Sequence, residues 1–221
     1  MAALRAIIFD LDDTLVDQAG AARRAVVGWA AEHGISGVDV ADRWEAVSDT
    51  HYRRYQSREL GFQEQRRARA REFLGVEVND VEADALFAAY LTRYEAQWVA
   101  FDDAVPTLRR VRNAGLRTVV LTNGDDDHQR LKLDLTGLAA EVDLHVSTST
   151  LPTSKPDPRA YLLTCERAGI APAEALMVGN SLAHDVLGPI DAGLDAVLLD
   201  RDDAHPEAAV RRISTLHDLS W

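Results

Sequence analysis

The chain has 221 residues, of which 47% are hydrophobic and 27% charged, and its formal net charge is −12. This composition is that of a globular protein with room for one domain or for a core with a smaller insert. The acidic balance argues against nucleic acid as a partner, and no apolar run approaches the ~18 residues of a membrane span. The single cysteine, Cys165, fits a reducing compartment, so we expect a cytoplasmic protein.

The first predicted element is a strand that ends in acidic residues. The apolar run at 4–9 is typical of a parallel strand buried on both faces. Asp10, Asp12 and Thr14 follow it, at the carboxyl end of the strand, where open parallel sheets carry their chemistry. Two neighbouring carboxylates disfavour each other's ionisation unless a cation lies between them. An oxygen-only site of this kind suits Mg²⁺, and the alternative is an acidic loop that caps the strand.

Residues 17–101 have the pattern of successive helices. Apolar side chains recur at helical spacing in segments 19–31, 40–61, 63–74 and 81–99. Between positions 53 and 71, seven arginines stand against two glutamates. Such a patch either attracts a small anionic substrate or forms a solvated helix face. The candidate anion contacts are Arg53, Arg54, Arg58, Arg66 and Arg67.

From residue 102 the pattern alternates between helix and short apolar strand. Helices are predicted at 104–114, 128–135, 158–168 and 183–192, and strands at 117–121, 144–146, 175–178 and, as the last, 196–199. This alternation predicts right-handed βαβ units in a parallel sheet with helices on both faces. We therefore expect an α/β protein. Its Rossmann-like core would comprise residues 1–16 and 102–221, and an all-helical cap domain, residues 17–101, would be inserted after the first strand.

Three later segments carry polar residues at the same predicted edge of the sheet. A threonine, an asparagine and a glycine follow the second strand, forming a turn that can bind an anion. One of the only two lysines in the chain stands before a proline in a loop that enters a helix. A Gly-Asn-Ser sequence follows the fourth strand, with an aspartate shortly after it. The residues concerned are Thr122, Asn123, Lys155, Asn180 and Asp185.

Together these segments resemble the four motifs of the haloacid dehalogenase-like hydrolase superfamily. The matching stretches are Asp-Leu-Asp-Asp-Thr-Leu at 10–15, Thr-Asn-Gly at 122–124, Lys-Pro-Asp-Pro at 155–158, and Gly-Asn-Ser with a later Asp at 179–185. With its helical segment after the first motif, the chain is similar to the phosphatase branch, in particular to the phosphoglycolate-phosphatase-like group. The resemblance implies a Mg²⁺-dependent phosphatase that acts on a small phosphorylated metabolite through an aspartyl-phosphate intermediate.

The resemblance also implies a role for each matched residue. Asp10 would attack phosphorus, and Asp12 would protonate the leaving alkoxide and then deprotonate the water that hydrolyses the intermediate. Lys155 would neutralise the charge shared by Asp10 and the phosphate. The substrate-binding residues would be Thr14, Thr122 and Asn123.

The metal ligands implied by the resemblance are Asp10, the main-chain carbonyl of Asp12, Asn180 and Asp185. Asn180 departs from the family's pattern, which usually has an aspartate after the glycine of the fourth motif. An amide oxygen still binds Mg²⁺, but one negative charge is missing, and Asp185 could compensate directly or through water. We expect weaker Mg²⁺ binding with activity retained.

Three other functions remain open from the sequence. A haloacid dehalogenase shares the motifs, but a halide leaves without a proton, so Asp12 favours phosphate esters. A sugar-phosphate mutase uses the same aspartyl-phosphate chemistry. A receiver-like phosphoacceptor module, which binds partners, also has an acid pair and a lysine before proline. In a receiver module, however, the phosphoacceptor follows a later strand than the first, and such a module has no helical insert. We expect the insert to act as a cap that selects the substrate.

Overall fold

The computed structural model describes residues 3–221, which form two compact units. One unit is the segment Gln18–Trp98, and the other comprises the residues up to Asp17 together with Val99–Trp221. Between residues 3 and 221, eight α-helices are found: α1 (Gln18–Glu32), α2 (Val40–Gln56), α3 (Phe62–Leu74), α4 (Asp80–Glu95), α5 (Ala104–Asn113), α6 (Asp126–Leu135), α7 (Pro158–Ala168) and α8 (Gly188–Asp191). None of these described helices is both long and apolar enough to cross a lipid bilayer.

The second unit is built on a parallel sheet. The strands found in residues 3–221 are β1 (Ala6–Phe9), β2 (Arg117–Thr122), β3 (Leu144–Ser147), β4 (Ala175–Gly179), β5 (Asp195–Leu199) and β6 (Arg212–Ile213). Their order across the sheet is β3-β2-β1-β4-β5-β6, and every neighbouring pair is parallel. The predicted α/β class with a Rossmann-like parallel sheet is confirmed.

The central strands are apolar because helices cover both faces of the sheet. Every residue of β1 is fully buried, as its uninterrupted apolar sequence predicts. On one face, Ile8 pairs in register with Val119 of β2 and Met177 of β4, and all three belong to one buried cluster. Cys165 of α7 lies in the same cluster, so its thiol packs in the core, as the sequence suggests.

Two predicted elements of the core are present but differ in detail from the prediction. The strand at 196–199 is not the last, because β6 adds to the edge of the sheet beside β5. β6 has two residues, of which only one is apolar, so it is too short to be recognised from an apolar pattern. The helix predicted at 183–192 is a π-helical turn, Leu182–Leu187, followed by the short α8. Pro189 lacks the N–H group that a regular α-helix would use there.

The helical unit has an aromatic core of its own. Trp29 of α1 stacks on Phe73 of α3, with ring centroids 5.5 Å apart, and both rings are buried. Trp44 of α2 packs against Tyr90 of α4 and donates a hydrogen bond of 3.0 Å from Nε1 to the Tyr90 hydroxyl. This bond satisfies a polar group that would otherwise be unpaired in an apolar interior. The tryptophans at helical spacing therefore serve the core of this unit.

A buried carboxylate links the start of α5 to the C-terminal end of the chain. Asp103 accepts two hydrogen bonds from the guanidinium of Arg201, at 2.8 and 2.9 Å. It also accepts one from the Thr215 hydroxyl, at 2.7 Å, and one from the Leu216 N–H, at 2.9 Å. Arg201 in turn donates to the main-chain carbonyl of Thr14, at 3.0 Å. The network therefore fixes the turn that follows β1.

Asp103→Ala is expected to lower the free energy of unfolding by about 3–5 kcal/mol, because it leaves the Arg201 charge without its partner. Burial raises the pKa of Asp103, but the hydrogen bonds from Arg201, Thr215 and Leu216 outweigh it and hold that pKa below its ordinary value of 3.8. The carboxylate therefore stabilises the protein fully at neutral pH, and its contribution falls as the pH drops below about 4. Urea unfolding at pH 7 and pH 3 measures both effects. The exposed neighbour Asp102 supplies the control, and an equal loss in Asp102→Ala would contradict the prediction.

Candidate active site

The predicted site residues lie at the carboxyl ends of the central strands. Asp10 directly follows β1, Thr122 is the last residue of β2, and Asn180 directly follows β4. Because β1 lies between β2 and β4 in the sheet, these three strand ends are neighbours. From β1 the chain builds the sheet first towards β3 and then towards β6, so this edge contains the switch point where open α/β sheets bind ligands.

Asp10, Lys155 and Asp185 form a buried charge cluster. The Lys155 ammonium donates to Asp10 Oδ1 at 2.7 Å and to Asp185 Oδ1 at 2.6 Å. All three residues are less than 10% exposed. Residues separated by 145 and 30 positions in the chain therefore meet at one point, with a single cation between two carboxylates.

The electrostatics of the cluster leave Asp10 short of positive charge. Burial, and to a smaller extent Asp185 and Asp12, raise the pKa of Asp10, and Lys155 only partly opposes them, so that this pKa is about 7. Burial disfavours the charged form of Lys155, but the two carboxylates outweigh that effect and raise its pKa above its ordinary value. Lys155 therefore stays an ammonium, and full ionisation of Asp10 needs a further positive charge nearby.

Asp185 is held by the segment that follows β4. Its second oxygen, Oδ2, accepts a hydrogen bond of 3.0 Å from the Ser181 N–H. The carboxylate lies so close to Gly179 that a Cβ at that position would collide with it. Glycine at the end of β4 therefore lets Asp185 approach the sheet. Both oxygens of Asp185 already have protein partners.

Thr14 lies between Asp10 and Asn180. Its Oγ1 is 3.4 Å from Asp10 Oδ2 and 3.4 Å from Asn180 Oδ1. These separations are long for O–H···O hydrogen bonds, so the contacts are weak. They do bring one oxygen from each of the first and fourth motifs to the same hydroxyl.

Asn123 contacts Lys155 through the main chain. The Asn123 amide donates to the Lys155 carbonyl at 3.0 Å and accepts from the Lys155 N–H at 2.9 Å. Its oxygen also accepts from the Thr148 hydroxyl, at 3.0 Å. The side chain predicted to bind phosphate therefore holds the lysine loop against the end of β2.

Asp12 points to a different set of partners from Asp10. Its Oδ1 forms an ion pair with the Lys132 ammonium, and its Oδ2 accepts a hydrogen bond of 2.8 Å from Gln129 Nε2. Burial raises the pKa of Asp12, but Lys132 and the hydrogen bonds outweigh it, so the pKa lies below its ordinary value. In this arrangement Asp12 is a carboxylate, the form that accepts a proton.

Gln129 and Lys132 received no site role from the sequence. They are three residues apart on α6, so both can project from the same face of the helix. Gln129 also donates to the Thr122 hydroxyl at 2.8 Å, and a Cβ at Gly124 would collide with its amide. The available signal was that Lys132 is one of only two lysines in the chain.

The donor set at this edge has the chemistry of a site for a hard cation. Within residues 3–221, no three His, Cys, Asp or Glu side chains form a cluster that could hold a metal ion. The oxygens of Asp10 and Asn180, which converge on Thr14, are nevertheless the donors that Mg²⁺ prefers, as are main-chain carbonyls. Lys155 pairs with the carboxylates of Asp10 and Asp185, and Lys132 pairs with that of Asp12, so three carboxylates share two ammonium groups. The residues therefore fit a divalent cation.

The candidate arginines of the helical unit are largely engaged within that unit. Arg53 pairs with Asp49, Arg54 with Glu59, and Arg67 with both Asp80 and Asp84. The guanidinium of Arg66 lies 4.1 Å from the ring centroid of Phe62. These contacts are typical of a solvated helix face.

Comparison with known proteins gives consistent matches. A model of the haloacid dehalogenase-like hydrolase family matches residues 4–193. Phosphoserine phosphatase of Thermus thermophilus is 38% identical over 49% of this chain and 44% of its own length, so the chain spans less than half of that relative. Phosphoglycolate phosphatase 1 of Pseudomonas aeruginosa is 29% identical over 97% of this chain and 78% of its own length.

Among solved structures, a dehalogenase is 25% identical, with a TM-score of 0.78 over 98% of this chain and 96% of its own. This chain therefore has the fold of a dehalogenase, and its sequence relatives include phosphatases.

Proposed function

The chain belongs to the haloacid dehalogenase-like hydrolase family, and on that premise we propose that it is a Mg²⁺-dependent phosphatase of small phosphorylated metabolites. One observation carries the proposal: the Asp10 carboxylate is buried at the end of β1, with the Lys155 ammonium 2.7 Å from its Oδ1. A nucleophile and a cation for the incoming phosphate are thereby held together. The phosphatases among its relatives support this choice of substrate class.

The proposed reaction has two halves. An Asp10 oxygen forms a bond to phosphorus while the bond from phosphorus to the leaving oxygen breaks. Asp12 is a carboxylate in the free protein, so it first takes up a proton from solvent and then donates that proton to the leaving oxygen. Asp12 then takes a proton from a water molecule, whose oxygen displaces Asp10 from phosphorus and releases inorganic phosphate. General acid–base help of this kind is typically worth about 10²–10⁴-fold in rate.

The remaining residues hold the reacting groups. Lys155 neutralises Asp10 and the transferring phosphoryl group, and Asn123 supports phosphate binding by fixing Lys155. The Thr122 hydroxyl, at the end of β2, contributes to the phosphate site.

Asp10, the Asp12 carbonyl and Asn180 would hold the Mg²⁺ ion, with Thr14 beside them. Asp185 is a weaker candidate for a direct ligand because both of its oxygens have protein partners. When bound, the ion would supply positive charge that favours ionised Asp10 and the negative charge on the phosphoryl oxygens.

The alternative functions differ in whether Asp12 must transfer a proton. A dehalogenase expels a halide, which needs no proton, whereas Asp12 is anchored two residues after Asp10 by Lys132 and Gln129. We therefore favour phosphate esters over haloacids, although a dehalogenase shares the fold. A mutase would use the same residues to return the phosphoryl group to a sugar. A receiver-like binding module is not supported, because the chain is a hydrolase of this family. We further propose that the helical unit serves as the cap domain that selects the ester.

A phosphate-release screen tests the proposed function. The wild-type protein is incubated with sugar phosphates, phosphoglycolate, nucleoside monophosphates and phosphorylated sialic acids, with Mg²⁺ or with EDTA. We expect release of phosphate from at least one ester, and only with Mg²⁺. A parallel assay follows chloride release from a 2-haloacid. Chloride release without phosphate release would overturn the proposal in favour of the dehalogenase.

Asn180→Asp is expected to lower the Mg²⁺ concentration for half-maximal rate by on the order of tenfold, which corresponds to about 1.4 kcal/mol. The added carboxylate restores a negative charge beside Asp10 and Thr14, where it attracts the cation. Mg²⁺ titration of phosphate release measures the effect. Asn113→Asp makes the same change on the exposed surface of α5 and is expected to leave the requirement unaltered. An unchanged or higher requirement in Asn180→Asp would count against Asn180 as a ligand.

A further inference from the structure

Lys132 is a buried lysine whose ammonium reaches a residue of the proposed reaction. Its side chain is 2% exposed, and it forms an ion pair with Asp12 across 120 positions of the chain. Burial of an ammonium is costly unless a carboxylate compensates it closely. The contact therefore ties the position of Lys132 to that of Asp12.

Gln129 completes the attachment of Asp12 to α6. Lys132 contacts Oδ1 and Gln129 contacts Oδ2, so both carboxylate oxygens are held and the carboxylate plane is fixed. Gln129 is itself anchored, because its Nε2 also donates to Thr122 and its amide lies against Gly124. Asp12 remains partly accessible, since 31% of its side chain is exposed.

We propose that Lys132, together with Gln129, is a positioning residue that holds the Asp12 carboxylate in place to take a proton from the water that hydrolyses phosphorylated Asp10. The inference rests on the proposed function, because it assigns a part of the second half of that reaction. Lys132 does not touch phosphorus or Asp10 in this scheme; it acts through Asp12. Lys155, the other lysine, contacts Asp10 and belongs to the first half.

Kinetic constants that report the two halves of the reaction separately distinguish a positioning role of Lys132 from a purely structural one. With p-nitrophenyl phosphate, the leaving nitrophenolate needs no proton, so formation of the phosphoenzyme does not depend on Asp12. kcat/KM reports this half, whereas hydrolysis of the phosphoenzyme enters kcat. Lys132→Met should therefore lower kcat about 10–100-fold, a part of what general base catalysis is worth, and should lower KM with it. kcat/KM should stay within about threefold of the wild-type value.

The experiment measures kcat, kcat/KM and the fraction of enzyme trapped as phosphoenzyme by acid quench. Where the wild type does not turn over p-nitrophenyl phosphate, the best ester of the phosphate-release screen replaces it. We expect phosphoenzyme to accumulate in Lys132→Met, and we expect Lys132→Arg to regain part of the lost kcat. Lys132→Gln, which keeps a hydrogen-bond donor, serves if the methionine variant does not fold. Arg130→Gln, an exposed change on the same helix, is the control and should behave as the wild type.

The outcomes distinguish this inference from the proposed function. A wild-type protein that hydrolyses no ester and forms no phosphoenzyme would overturn the proposed function and the inference with it. An active wild type whose Lys132→Met variant loses kcat and kcat/KM by the same factor, or loses neither, would overturn the inference alone. Phosphoenzyme that does not accumulate in the variant would do the same.

Discussion

Asp10→Asn should reduce phosphate release by at least about 10⁴-fold, because an amide cannot form the covalent phosphoryl intermediate. The substitution keeps the shape of the side chain, so the fold is expected to survive. Without metal, the variant should be more stable than the wild type at neutral pH. Burial and the neighbouring charges of Asp185 and Asp12 raise the pKa of Asp10 to about 7, so its charged form is destabilised in the folded protein. That destabilisation grows as the pH rises from the ordinary value of 3.8, and the amide removes it.

The test of Asp10→Asn combines turnover, acid-quench trapping and thermal unfolding in EDTA. Asp13→Asn is the matched control, since it makes the same chemical change three residues further along in the same turn. Asp13 has a φ of 59°, a left-handed conformation that asparagine adopts readily. We expect Asp13→Asn to stay within a few-fold of the wild-type rate. Turnover of Asp10→Asn at a rate close to that of the wild type would refute the nucleophile assignment.

The fold was predictable because its signals are local. Each central strand is an apolar run with a helix after it, and such a rhythm allows few topologies beyond a parallel sheet. The two features that the sequence did not predict, β6 and the π-helical turn before α8, are both short. The two-residue β6 has too little sequence to carry a pattern, and the spacing of apolar residues does not distinguish the π-helical turn before α8 from a regular α-helix.

The positions of the candidate site residues were predictable where they follow strand ends, and the side-chain contacts were not predictable where they depend on the orientation of a helix. Asp10, Thr122 and Asn180 lie at neighbouring strand ends because parallel strands end at one edge of the sheet. The contact of Lys132 with Asp12 depends on the rotation of α6 about its axis, which the spacing of its residues does not fix.

Residue spacing does not predict the pairing of Arg201 with Asp103 either. The two residues come from distant segments of the chain and together stabilise the turn after β1. Asn123 shows a subtler difference. Its position was predicted, but its side chain holds the Lys155 loop, because the ends of β2 and of that loop are adjacent only in the folded chain.

Lys155→Met should cost both activity and stability, and Mg²⁺ should restore part of the stability. Without the ammonium, the carboxylates of Asp10 and Asp185 lie buried near each other with their shared cation removed. Breaking a buried charge network in this way costs about 3–5 kcal/mol, and loss of one group that stabilises the transition state lowers kcat about 10²–10³-fold. A divalent cation that binds beside Asp10 replaces part of the missing positive charge.

Urea unfolding in EDTA and at saturating Mg²⁺, with phosphate release measured in parallel, tests this prediction. The Mg²⁺-induced gain in stability should be larger in Lys155→Met than in the wild type, since the variant has more uncompensated negative charge. Arg159→Met removes a cation from the exposed start of α7, where its partner is Asp157, and should change stability by less than about 0.5 kcal/mol. If Lys155→Met proved as stable as the wild type in EDTA, the buried lysine could not be the charge that allows Asp10 and Asp185 to lie together. A second cation, or protonated carboxyls, would then have to hold this edge of the sheet.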